Sequence, residues 1–300
     1  MSWRVHLANS AIRMVEVVAA PRPLLAAWTS PSHVSWFDLQ DGALVAQATL
    51  PPLPPAQASS EVWESYQQTL SLSEDRRLTR VQYGQRWLFL TRDGTQRLHW
   101  DGVGALLYMD EGQLHPLDSP EAGRWLAVDF DRDLGFTAAL AEDGRLFLYE
   151  RHQLLGRFDV GLCPEPEQRC HVQILQGQHI YATDGRALVA VGVNGVVRRR
   201  LALHFRVALM TSSLDGQMLA IVDYEDGILR LYRAADLRLT HQKFAIDLVI
   251  AAAPRQLIEE LPPPMTVVSS LALADQGVVA FAMGGVLCCT HQDMFNALPR

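Results

Sequence analysis

The chain has 300 residues, of which 49% are hydrophobic and 20% charged, and its net charge is −7. Those values exclude a disordered chain and a bundle of membrane helices. An acidic balance without a long basic block also sets nucleic acid aside as a partner, because that function leaves a basic footprint.

The opening Met1-Ser2-Trp3-Arg4-Val5-His6-Leu7 lacks the basic patch, unbroken apolar core and small-residue cleavage site of a secretory signal. No apolar stretch approaches the roughly 20 residues that span a bilayer, and four cysteines are too few for a disulfide scaffold. The expected setting is therefore a reducing cytoplasm, with no membrane partner. Lys243 is the only lysine, a bias that a GC-rich genome produces through its codons.

In chain order, short apolar runs alternate with turn dipeptides, the mark of consecutive antiparallel strands. Trp3 to Ala8 is a strand-like stub. Ile12 to Ala20, Leu24 to Trp28, His33 to Leu39 and Ala43 to Leu50 make a first four-strand unit. Leu78 to Tyr83, Trp87 to Thr91 and Thr95 to Trp100 begin a second, followed by Ala105 to Tyr108 and Gln113 to Leu117. A third runs from Trp125 to Val160, a fourth from Val172 to Leu203, a fifth from Val207 to Phe244, and the last holds Thr266 to Leu273, Val278 to Met283 and Val286 to Thr290.

The punctuation is regular. Asp-Gly occurs at 41–42, 93–94, 101–102, 143–144, 184–185, 215–216 and 226–227, with Asn-Gly at 194–195 and Gly-Gly at 284–285. Such pairs accept the positive φ of two-residue hairpin turns. Gly144, Gly185 and Gly227 are 41 and 42 residues apart, the period of a four-stranded β-propeller blade. The expected fold is thus all-β: one β-propeller over residues 1–300 with six blades, or seven if the hairpin at 105–117 belongs to a blade of its own. One blade cannot cover its own apolar faces, so the ring must close. The stub at residues 3–8 is expected to pair beside Val286 to Thr290.

Val207 to Ala220, running into Asp226-Gly227-Ile228-Leu229-Arg230-Leu231-Tyr232, resembles a WD40 repeat, as does 124–150. Leu148-Tyr149-Glu150 stands where that family often has Leu-Trp-Asp, no Trp-Asp closes a third strand, and no Gly-His pair occurs. The degenerate repeats also look like the bacterial propeller components of multi-protein systems built around AAA-type ATPases and von Willebrand A-type adaptors. That resemblance implies a protein partner.

Two stretches break the rhythm. Pro51-Pro52-Leu53-Pro54-Pro55 stops strand structure, after which Trp63, Tyr66 and Leu70 share one helical face. The second insertion, 248–264, carries Leu257 and Ile258 before Pro262-Pro263-Pro264. Each insertion either packs on its own blades or presents Trp63, Tyr66, Leu70, Leu257 and Ile258 as apolar anchors for another protein. Arg198-Arg199-Arg200, the only basic triplet, fits the exposed outer strand of a blade and would add an electrostatic contact to an acidic partner.

Signals for chemistry are sparse. Cys163 and Cys170, and Cys288-Cys289, lack the spacing that closes on zinc, and the adjacent pair on a strand points to opposite faces. Asp129, Asp131 and Asp133 alternate as in a calcium loop, but Leu134 and Leu140 occupy the positions that need Gly and Glu, so a solvated turn is expected. No phosphate-binding, zinc-protease or nucleophile-elbow motif occurs. No catalytic residue, metal or cofactor is therefore expected, and the leading function is a non-catalytic interaction scaffold or adaptor of a bacterial complex. The alternative is a metal-dependent hydrolase or lactonase working on a small molecule through carboxylates at the propeller axis.

Overall fold

The computed structural model describes residues 2–7, 11–18, 23–70, 78–110, 112–117, 123–175, 178–254 and 267–297. It opens with β1 (Trp3–His6), then the first sheet, β2 (Met14–Val18), β3 (Leu24–Trp28), β4 (His33–Asp38) and β5 (Leu44–Thr49). Helix α1 (Ser60–Leu70) precedes the second sheet, β6 (Arg80–Tyr83), β7 (Arg86–Leu90), β8 (Gln96–Trp100), β9 (Leu106–Asp110) and β10 (Gln113–Pro116). The third sheet is β11 (Trp125–Phe130), β12 (Phe136–Ala141), β13 (Arg145–Glu150) and β14 (Gln153–Asp159). The fourth is β15 (His171–Leu175), β16 (His179–Thr183), β17 (Ala187–Gly192) and β18 (Val197–Ala202). The fifth is β19 (Val207–Ser212), β20 (Met218–Asp223), β21 (Ile228–Arg233) and β22 (Arg238–Phe244). Helix α2 (Ala245–Ala251) and β23 (Ala253–Pro254) then lead to the sixth sheet, β24 (Val268–Leu273), β25 (Val278–Met283) and β26 (Val286–His291), with β27 (Asn296–Ala297) after it.

Within each sheet, the neighbours along the chain pair antiparallel. The turn dipeptides do what their chemistry requires. Gly144 sits at φ 81°, and a Cβ there would collide with the Leu162 carbonyl. In several pairs the acidic partner closes the turn itself: Asp143 accepts from the Arg145 N–H at 3.0 Å, Asp184 from Arg186 at 2.9 Å and Asp215 from Gln217 at 3.0 Å. The repeat is written in the backbone more clearly than in the letters. In the first, third, fourth and fifth sheets the pairing of the third and fourth strands shifts register at one equivalent place, before Phe37, Tyr149, Val191 and Tyr232.

The chain divides into two compact units, residues 1–50 with 73–76 and 208–300, and residues 51–72 with 77–207. In the first unit, the fifth and sixth sheets bury Val222, Leu229, Leu231, Val279 and Phe281 between them. The sixth and first sheets bury Val15, Val17, Leu25, Ala280 and Leu287. In the other unit, Leu98, Tyr108, Trp125, Phe130 and Phe147 join the second sheet to the third, and Leu140, Leu148, Ile174, Ile180 and Val189 join the third to the fourth. Each sheet thus covers an apolar face of its neighbour within its unit, which is why the second strands are nearly continuous apolar runs, while the outer strands β5, β14 and β18 are mostly exposed.

The N-terminal stub pairs as expected. Trp3 lies opposite Cys289 and His6 opposite Val286 in an antiparallel ladder. The hairpin at 105–117 does not found a seventh blade. Its strands β9 and β10 continue the second sheet outward, in the order β10-β9-β8-β7-β6, because Leu106 to Asp110 pairs directly with Gln96 to Trp100.

Candidate interaction surface

Helix α1 forms where the spacing of Trp63, Tyr66 and Leu70 predicts it, but its stripe points inward. Trp63 is 0% exposed, Tyr66 4% and Leu70 1%. This corrects their expected role as docking anchors. The helix lies on its own sheet, where the Trp63 ring meets Tyr66 edge-on at 5.8 Å and His99 of β8 at 4.4 Å. The Arg97 guanidinium sits 4.9 Å from the Trp63 ring centroid, a desolvated cation–π contact. A stripe of this width covers more apolar surface as a lid on a sheet than as an exposed face, and Val62, on the other side of the helix, remains exposed.

Electrostatics beneath the helix follow from burial. Burial first, then the charges of Arg97 and Arg86, push the His99 imidazole down to about 3, so it stays neutral. Burial raises the Tyr66 phenol to about 12 against the pull of Arg86. Burial also lowers Arg97 to about 10, opposed by Glu64. Trp63 Nε1, Tyr66 Oη, Arg97 Nη1 and His99 Nε2 have no hydrogen-bond partner among the described residues.

The arginine triplet lies where its sequence implied. Strand β18 is the outermost of the fourth sheet, and Arg198, Arg199 and Arg200 are all exposed. Arg200 reaches back to the Val160 carbonyl at 3.3 Å and the Gly161 carbonyl at 2.5 Å. Arg198 Nη1 lies 3.2 Å from His179 Nδ1, and Arg199 Nη1 donates to the Arg198 carbonyl at 3.3 Å. Sequence reasoning missed the apolar residues beside them: Val193, Val196 and Val197 are all exposed.

The second insertion begins with α2, which buries Ala245, Leu248 and Val249. Arg4 Nη1 donates to the Val249 carbonyl. Leu257 and Ile258 lie outside the described residues. In the described residues on either side of them along the chain, Phe244, Ile250 and Val267 are exposed.

The cysteines are free thiols. Burial drives Cys289 up to about 12, raises Cys288 further with the help of its neighbour's charge, and raises Cys170 to about 12. The three acidic residues at 129–133 part company. Asp131 makes the expected turn, accepting from Asp133 at 2.8 Å and Leu134 at 3.0 Å, and Asp133 pairs with Arg92 at 2.8 Å. Asp129 instead lies on β11 and accepts from the Ile174 N–H of the next sheet at 2.8 Å, with burial pushing its carboxyl up to about 6. Among the described residues, no three His, Cys, Asp or Glu side chains converge as metal ligands. No described helix is long and apolar enough to cross a membrane.

No protein-family model and no curated protein matches the chain. Solved structures do. Raptor from Chaetomium thermophilum is similar with a TM-score of 0.67 at 7% identity, over 99% of this chain and 29% of that one, so this chain spans under a third of that protein. The WD40 β-propeller domain of Doa1 is similar with a TM-score of 0.54 at 13% identity, over 96% of each chain. Identities this low carry the fold alone: the chain is a WD40-like β-propeller with six blades.

Proposed function

We propose that this protein is a non-catalytic interaction scaffold, an adaptor subunit of a bacterial multi-protein complex that works in the cytoplasm, with residues 1–300 acting as one propeller domain. WD40 propellers commonly mediate protein–protein interaction, and a rigid sheet framework presents a surface at little ordering cost. The observation that carries the reading is β18, an outer strand exposed at all but Leu201, with three consecutive guanidiniums beside Val193, Val196 and Val197. Aromatic, arginine and apolar groups clustered on a surface are the usual anchors of an interface. Leu257 and Ile258, together with exposed Phe244 and Ile250, form the proposed second contact. Trp63, Tyr66 and Leu70 support the framework from within. The partner class that the sequence resemblance implies is an AAA-type ATPase with its von Willebrand A-type adaptor.

The test is affinity purification of the tagged full chain from its native cell, followed by light scattering and metal analysis. A defined partner at fixed stoichiometry is expected. A lone chain that carries a stoichiometric divalent metal, with hydrolytic activity lost on chelation, would overturn the scaffold reading.

A further inference from the structure

We infer that β18 is a strand-addition site that takes an extended acidic segment of a partner protein as the fifth strand of the fourth sheet. The inference rests on the scaffold reading and gives it a mode of recognition. Among the described residues, three sheets already carry an added strand at an outer edge. Strand β10 extends the second sheet beyond β9, with Gln113 opposite Asp110 and Pro116 opposite Leu107. Strand β27 pairs antiparallel to β22 through His241–Ala297 and Gln242–Asn296. Strand β23 lies parallel to β1 through Trp3–Ala253 and Arg4–Pro254. The fourth sheet ends at β18 in the order β15-β16-β17-β18, and no described backbone group outside the sheet hydrogen-bonds to 197–202.

An unpaired edge is a template for another chain, and natural edges are usually guarded by charge. Here the guard is of one sign. Residues directly opposite each other on paired strands interact, and like charges there are destabilising. A second copy of this chain would set arginine against arginine, so self-pairing of β18 is disfavoured. An acidic strand would set a carboxylate opposite each of Arg198, Arg199 and Arg200, none of which has a carboxylate partner among the described residues. Arg200 is already held by the Val160 and Gly161 carbonyls, which fixes one guanidinium before binding. Val197 adds an apolar flank, so the fitting segment is extended, carries consecutive acidic residues and has a β-branched residue at its end. The other open edges differ: β5 carries no charged residue, and β14 carries both signs, Arg157 and Asp159.

The probe is a fluorescein-labelled peptide, Thr-Val-Glu-Glu-Glu-Val-Thr, titrated with the full chain and read by anisotropy at low salt. Two further peptides carry N-methyl groups on the odd or the even amides. Strand addition uses alternate backbone N–H groups, so one methylation phase is expected to weaken binding at least tenfold and the other to be tolerated. R198E/R199E is expected to weaken the parent peptide at least tenfold, R198K/R199K to retain most of it, and bound peptide to slow amide exchange in 197–202 but not in 153–159. No saturable binding at 1 mM peptide, equal binding of both methylated peptides and the parent, or indifference to R198E/R199E would each overturn the proposal. The methylation comparison uses the unaltered protein and does not depend on how a variant folds. A native partner that still co-purifies with R198E/R199E in any of those cases leaves the scaffold reading standing. The lack of any partner for the unaltered chain refutes that reading instead.

Discussion

Trp3 offers the sharpest test of how the sixth sheet is completed. Its indole is 2% exposed, packs 6.2 Å from the Phe37 ring centroid, and donates from Nε1 to the Leu39 carbonyl at 3.1 Å. It also fills the space over Gly42, where a Cβ would collide with the ring. Trp3→Ala should remove a buried aromatic, a change that costs about 3–5 kcal/mol, and leaving the Leu39 carbonyl with only the weak Cys289 thiol donor at 3.7 Å places the cost toward the upper end of that range. At about 2–4 °C per kcal/mol for chains of this size, the melting temperature should fall by roughly 10 °C. Trp3→Phe keeps most of the ring and loses only the N–H and part of the area, so about 1–2 kcal/mol is expected. Heat and urea unfolding of the full chain, followed by far-ultraviolet circular dichroism, measures both. A drop under about 2 °C for Trp3→Ala, or an equal loss for the two variants, would refute the idea that β1 is an integral strand whose indole seals the first and sixth sheets together.

His99 predicts a pH dependence. It is held neutral down to about pH 3 when folded and protonates near 6.5 when unfolded, so the unfolded state binds more protons and stability is lost as the pH falls below 6.5. The loss is about 1.4 kcal/mol per pH unit, or about 2 kcal/mol at pH 5, and urea midpoints of His99→Gln should lack that slope. Asp129, pushed up to about 6 by burial, has the opposite sign: its contribution is present at low pH and lost as the pH rises through 6, so Asp129→Asn should tilt the same curve the other way. Asp223→Ala removes the buried carboxylate that pairs with Arg230 at 2.6 Å and should cost about 3–5 kcal/mol in urea unfolding. Trp63→Ala should cost about 3–5 kcal/mol, whereas Val62→Asp on the exposed side of α1 should stay within about 0.5 kcal/mol; the reverse order in melting curves would restore the outward-facing stripe.

The strands were legible because their chemistry is local. An Asp-Gly pair states its own turn, and the side chains of Asp143 and Asp184 bond the following amides as their type requires. The pairing of Trp3–His6 with Val286–His291 was legible for another reason, since a set of wedges with one incomplete member leaves a single place for an unpaired strand. What could not be read was which surface each apolar stripe meets. The spacing of Trp63, Tyr66 and Leu70 specifies a helix and a face, but the same stripe suits a sheet beneath it or a partner above it. The deciding contacts, with Arg97 and His99, lie more than thirty residues away in sequence. The role of β9 and β10 was ambiguous for a similar reason, because a hairpin does not encode which strand it will extend. Strands β23 and β27 are two residues each, too short for any alternation to show. The triplet at 198–200 was legible as exposed because three consecutive guanidiniums have no interior that would hold them.

The ladder between Trp3–His6 and Val286–His291 also sets a clock on biosynthesis. About 280 residues separate the two strands, and ribosomes add roughly 5–20 residues per second. Trp3 and Val5 therefore leave the exit tunnel roughly 15–55 s before their partner strand exists. Throughout that interval the nascent chain carries a short greasy segment whose own sheet cannot yet shelter it, so chaperones that clasp emerging polypeptides have a natural client in Trp3 to His6.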